Sequence, residues 1–283
     1  TVGKETKQVE KSTVEAKNTV STEKQPEVKS EKEVSIESKE IDVNNLIKQR
    51  KNTSKKFLII APGLSILIAV LLVGPSIIES FSIYWWEAVF LYTLIGLLFL
   101  YDYKAEEAAG NFQNIYFRND SIKIYIVKIL LKLKDLLISN VWFLAILLFT
   151  SNFLYGDLIS LNIIGDLICL VLISITSIWV LPLLYLFSKR INPYILVSIN
   201  SLICFLVAPF IAQSSFWFFF PFTYHYKIAY SLMYIKPSGD LDLTNHVTDV
   251  KMVVFTVFLS LILFIVSLLM LNWRLSNDPI AKK

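Results

Sequence analysis

The chain has 283 residues, of which 55% are hydrophobic, and its mean hydropathy is +0.58. Such a composition excludes an ordinary soluble domain. The formal net charge of +4 belongs largely to residues 1–56, which hold 13 of the 27 Lys+Arg and 10 of the 23 Asp+Glu, so no broad basic face of the nucleic-acid kind is present.

In chain order, residues 1–46 mix Lys, Glu, Thr, Ser and Val without helical or strand period, and no Phe, Trp or Tyr occurs before Phe57. Too little apolar surface is available there to offset the entropy of ordering, so the sequence predicts a disordered, charged tail. It is not a secretory signal, because no apolar run precedes Phe57. The chain opens on Thr1 rather than Met, as expected of a piece of a longer protein whose tail links to something upstream.

Residues 47–283 carry six apolar runs, near 57–77, 84–101, 136–155, 163–187, 194–213 and 252–271. Each is about 18 to 25 residues, enough at about 1.5 Å per residue to cross roughly 30 Å of hydrocarbon as a helix. Backbone polar groups in lipid must be satisfied within the segment, and barrel strands are shorter and alternating, so helices are the only choice. The prediction is an all-α, polytopic membrane domain of six spans. Pro62, Pro182 and Pro209 fall inside spans and predict kinks. Cys169 and Cys204 sit in different apolar runs and read as small buried hydrophobes.

Basic residues set the orientation. Five lie just before the first run, six at 102–135, two at Lys189–Arg190 and three at the C-terminus, sixteen on one side. The other side has only Lys227, Lys236 and Lys251. An excess of Lys and Arg marks cytoplasmic loops, so both termini are expected in the cytoplasm.

The segment 101–135 is then a cytoplasmic loop. From Lys104 to Ala109 it is a run of helix formers that Gly110 is placed to cap. A second short helix at 111–117 presents Phe112, Ile115 and Tyr116. From Ser121 onward Ile122, Ile126, Ile129 and Leu133 share a face, while Ile124, Val127 and Leu131 lie opposite. That pattern predicts a helix skimming the interface before the third span. On the outer side, 214–251 holds the aromatic cluster SSFWFFFPFTYHYKIAY. It reads as an interfacial aromatic belt or, alternatively, as a re-entrant or surface helix pair whose Trp217, Phe219, Phe222 and Tyr224 touch an amphipathic substrate.

Several chemistries are missing from the sequence. No G-x-x-x-x-G-K-[ST] occurs, so the chain has no P-loop. His225 and His246 are the only histidines; they read as solvated loop residues rather than metal ligands. Glu87 and Asp166 are placed near the outer starts of their spans and Asp135 near a cytoplasmic start. Without a deep carboxylate the chain does not read as an ion-driven carrier. The Glu106–Glu107 pair fails the E-E-x-x-x-R pattern of membrane proteases of the CAAX type, since Asn111 stands at the sixth position.

The spacing of Glu107, Gly110, Phe112, Ile115 and Lys128, an E-x-x-G-x-F-x-x-I pattern ahead of a K-I-L segment, resembles the first cytoplasmic loop of ABC-transporter type 2 permeases. It looks closest to the lantibiotic-immunity branch, and the likeness extends loosely over 47–283. Asn119 and Asp120 stand where such permeases often carry a proline. The resemblance implies a non-catalytic permease subunit in a bacterial cell membrane, with ATP and Mg bound by a partner ATPase and a second permease subunit alongside. It implies that Glu107, Gly110, Asn111, Phe112, Ile115 and Lys128 form the coupling loop to that ATPase. The cargo would be a cationic, amphipathic antimicrobial peptide lifted from the membrane. The rival expectations are export of another substrate by the same fold, or a membrane anchor or sensor that transports nothing.

Overall fold

A computed structural model describes residues 55–74, 77–109, 121–154, 156, 161–242 and 248–277. The expected disordered tail and the expected short helix at 111–117 lie outside the described residues. Within them the regular structure is helical apart from one antiparallel bridge, Ile235 to Leu241, which closes the turn at Gly239. The helices are α1 (Lys55–Leu72), α2 (Ile78–Ala108), α3 (Ser121–Leu154), α4 (Ile163–Phe187), α5 (Pro193–Ala212), α6 (Tyr224–Met233) and α7 (Val250–Ser276). All except α6 are long and apolar enough to cross a membrane. The all-α, six-span class expected from the sequence is therefore the fold.

Apolar side chains cover the outer faces of the helices as well as the packed interior. On α7 the buried residues are Thr256, Ser260, Ser267, Leu271 and Leu275, while Val254, Phe258, Leu261, Ile265, Leu269 and Trp273 are exposed. Lipid takes up the apolar face at no cost, whereas small hydroxyl residues let helix backbones approach and hydrogen-bond across. Ser260 does so, donating to the Thr176 carbonyl of α4 at 3.1 Å. Gly96 serves the same end between α2 and α5: a Cβ there would lie 2.7 Å from Val197 Cγ1.

Each expected proline irregularity has a visible consequence. Proline removes a donor to the carbonyl four residues back. Pro62 frees the Leu58 carbonyl, and Ser139 of α3 donates to it at 2.7 Å. Before Pro182, α4 tightens at Ile178–Trp179, where the Leu181 amide bonds the Ile178 carbonyl. Before Pro209, α5 widens into a π turn over Ile203–Val207, with the Ala208 amide reaching the Ile203 carbonyl. The Cys204 carbonyl then accepts from the Tyr226 hydroxyl of α6 at 3.2 Å.

Three boundaries differ from the sequence reading. Helix α2 starts at Ile78 rather than 84 and continues to Ala108, so the Lys104 run extends the span instead of forming a separate helix. Helix α3 is one continuous 34-residue rod, not an interfacial helix followed by a span. Its buried positions Tyr125, Ile129, Leu136, Asn140, Phe143 and Leu147 recur at intervals of three, four and seven, so one continuous face of the helix packs on the bundle. Finally, part of the expected outer loop is α6, a short helix packed against α4 and α7. Its Tyr224, His225, Tyr226, Ile228 and Ala229 are buried.

Candidate functional site

Two polar regions occupy opposite ends of the bundle. At the first, where α2 ends and α3 begins, Lys128 of α3 lies 3.1 Å from Asp102 and also pairs with Glu106, both of α2. Asp102 and Glu106 are four apart, so they share one helix face and one cation can bridge them. Lys132, one turn on from Lys128, is 3.8 Å from Asp102. The Tyr185 hydroxyl of α4 donates to Asp102 at 2.7 Å. Tyr125 packs edge-on to Tyr185 at 5.0 Å beneath the ion pairs. A small cavity beside them is lined by Tyr103, Tyr125, Tyr185, Ser188, Lys189 and Arg274, among others.

Of the expected coupling residues, Glu107 and Lys128 are described here and Gly110, Asn111, Phe112 and Ile115 lie outside the described residues. The two that are described do not pair with each other. Glu107 is on the exposed flank and is bonded to Lys104 at 2.6 Å, whereas Lys128 reaches Glu106. Sequence reasoning named Glu106 only as half of the Glu106–Glu107 pair and missed Asp102, although their i, i+4 spacing opposite a lysine-bearing helix was the available signal.

At the far end, the four expected substrate-contact aromatics separate. Phe219 is 74% exposed, beside exposed Phe216. Trp217 is buried, edge-on to Phe255 of α7 at 6.0 Å, with the Lys227 ammonium 5.3 Å from its ring centroid. Phe222 packs between Tyr92 at 5.3 Å and Trp179 at 5.1 Å, and Tyr224 is buried with its hydroxyl on the Phe218 carbonyl. Phe219 is the most exposed of the four; Trp217 and Tyr224 are buried and Phe222 is half-buried against the core, because the 3₁₀ turns Trp217–Phe219 and Pro221–Thr223 fold the segment back into the bundle.

The interior next to α6 holds the largest departure from the sequence reading. His225, expected to be solvated, is 0% exposed, its ring tilted against Tyr92 at 4.9 Å and with Nε2 3.5 Å from Cys204 Sγ. Burial pushes its imidazole down to about 3, so it is neutral. Glu87 is also fully buried, and because α2 starts six residues earlier than the sequence suggested it lies nine residues in, about 14 Å along the axis. The expectation that no carboxylate sits deep in the bundle is thus corrected. Glu87 is the second residue of another π turn, Trp86–Phe90. That turn packs on the π turn of α5, and the Cys204 thiol points at the Glu87 carbonyl, 3.7 Å away. Asp166, four residues into α4, is buried too. Among the described residues no three His, Cys, Asp or Glu side chains converge as a metal site.

These features define a multi-pass, all-α membrane protein with an ion-pair clamp at one end and a buried polar seam toward the other. No family model, curated protein or solved structure matches the chain.

Proposed function

We propose that the chain is the permease subunit of an ATP-driven exporter of the ABC-transporter type 2 kind, expelling a cationic, amphipathic antimicrobial peptide of the lantibiotic class from the bacterial membrane. The observation that carries this reading is the E-x-x-G-x-F-x-x-I pattern of 107–115 together with its mounting. Residues 110–120 connect α2 to α3, and the Asp102–Lys128–Glu106 ion pairs brace those two helices where the connection leaves them. A push on such a connection moves two spans together, which is what a motor outside the chain requires. The chain carries no P-loop of its own, so ATP and Mg are assigned to a partner ATPase, with a second permease subunit completing the assembly. The sixteen-to-three basic asymmetry puts the connection and both termini on the cytoplasmic side. Exposed Phe216 and Phe219 then face the outer leaflet, where an amphipathic peptide partitions.

The test is the contact with the motor. Burying a phenylalanine in a partner's groove contributes roughly 1.5–3 kcal/mol. At about 1.4 kcal/mol per tenfold, Phe112→Ala should weaken association with the ATPase about 10- to 100-fold. Co-purification of the ATPase should be lost and cells should become peptide-sensitive, while the permease still reaches the membrane in normal amounts. Retention of both the ATPase and full resistance by Phe112→Ala and by Gly110→Val would remove the coupling assignment.

A further inference from the structure

The buried seam between the two π turns is not needed by the export reading and stands independently of it. Both Glu87 oxygens are buried and without a hydrogen-bond partner among the described residues. So is His225 Nδ1, on the ring whose other nitrogen faces Cys204. The titratable groups within electrostatic reach of Glu87 are Tyr84 and Tyr92 of α2, Cys169 of α4, Cys204 of α5 and Tyr226 of α6. Asp166 lies beyond Cys169, and Asp240, after α6, beyond Tyr84. On α3 the residue against Trp86 is Phe143, which does not titrate. No lysine or arginine is in this set, so nothing among the described residues compensates a permanent negative charge.

A sealed carboxylate with no cation and no donor is too costly to persist, so in this arrangement the group carries its proton. A carboxylic acid kept only for packing would be expected to place its O–H on an acceptor, as buried polar groups nearly always do. Here an unpartnered acid and an unpartnered imidazole nitrogen lie in one seam and remain unused. The backbone around them is also unusual. Single π turns are rare and concentrate at functional sites, and converting one to the α form rotates its side chains about the helix axis. Two of them touch here, one beginning at the residue before Glu87 and the other carrying Cys204. Ionisable groups inside membrane bundles characteristically mark proton or ion paths.

We infer that Glu87 is a proton-exchange site, its carboxyl taking up and releasing a proton to water through the seam of Cys204, His225, Tyr92 and Tyr226. Release converts Glu87–CO2H to the carboxylate and delivers H⁺ to water. Rotation at the π turns brings a seam donor, such as the His225 Nδ1–H tautomer or a tyrosine hydroxyl, onto the oxygen so exposed. Uptake reverses both changes.

The experiment uses the full chain in phosphatidylcholine–phosphatidylglycerol nanodiscs, with the same pH on both faces so that orientation does not enter. A protonated carboxyl in apolar surroundings passes its proton to a nitrogen of dicyclohexylcarbodiimide and adds through oxygen to the central carbon, and peptide mass spectrometry locates the resulting N-acylurea adduct. The expected result is an adduct on Glu87 that is strongest at acid pH and falls as the pH is raised. Circular dichroism verifies that the fold persists across the pH range. Glu87→Gln should remove this adduct, and Asp166→Asn should leave it in place. His225→Gln should shift the midpoint without abolishing labelling, which separates a positioning residue in the seam from a packing one. Labelling of wild-type Glu87 that is constant over the range, or absent throughout, overturns the inference by showing a sealed structural group. The wild-type arm decides this even if Glu87→Gln fails to fold. Because neither ATPase nor peptide is present, the outcome is independent of the export reading.

Discussion

Lys128→Met tests whether the clamp at the α2–α3 end holds the two helices as a unit. Methionine keeps most of the apolar stem and removes only the charge. The side chains of Lys128, Asp102 and Glu106 are 13%, 15% and 25% exposed, so the pairs belong neither to the surface nor to the dry interior. Exposed pairs contribute about 0.2–1 kcal/mol, and removing one partner of a fully buried pair costs about 3–5 kcal/mol. Asp102 keeps the Tyr185 hydroxyl and can draw Lys132 in from 3.8 Å, which softens the loss. Glu106 turns toward water. A destabilisation of about 2 kcal/mol is the expected balance, a fall in Tm of about 4–8 °C for a unit of this size. The assay is thermal unfolding of the purified protein in detergent, extended to double-mutant cycles with Asp102→Asn and with Glu106→Gln. Coupling of about 1 kcal/mol is expected in each cycle. Additive losses in both cycles would refute the clamp and reduce Lys128 to a solvated charge.

Two further perturbations probe how the spans are fastened together. Ser139→Ala should cost about 1–3 kcal/mol in the same unfolding assay, because it leaves the Leu58 carbonyl freed by Pro62 without a donor; an unchanged Tm would mean that another group takes over. Gly96→Val should cost about 1–3 kcal/mol through overpacking against Val197, and Val197→Ala should restore part of it, whereas equal losses in the single and double variants would show that α2 and α5 are not in contact there.

The sequence by itself determined the helical class, the number of spans and the bends, because these are local properties. An apolar run of sufficient length has no alternative to a helix in lipid, and a proline removes its donor wherever the chain places it. Even so, Pro182 and Pro209 act differently, one preceded by a tightened turn and the other by a π turn, and only packing chose between those outcomes. The clamp was half legible: Asp102 and Glu106 carry helical spacing, but nothing local says that Lys128 selects Glu106 over its neighbour Glu107. That choice follows from the rotation of α2, which puts Glu106 toward α3 and leaves Glu107 on the flank with Lys104. The polar seam was not legible. His225 sits in an aromatic, moderately polar stretch too short to span, and its composition reads as an interfacial loop. Burial came from α4 and α7, whose small and apolar faces accept α6 and close over it. The depth of Glu87 likewise depended on where α2 begins, a boundary set by packing around Ile78, Ser82 and Ile83 rather than by hydropathy. Periodicity and length specify what each segment becomes; which polar groups meet in the interior is decided only when the faces of distant helices are pressed together.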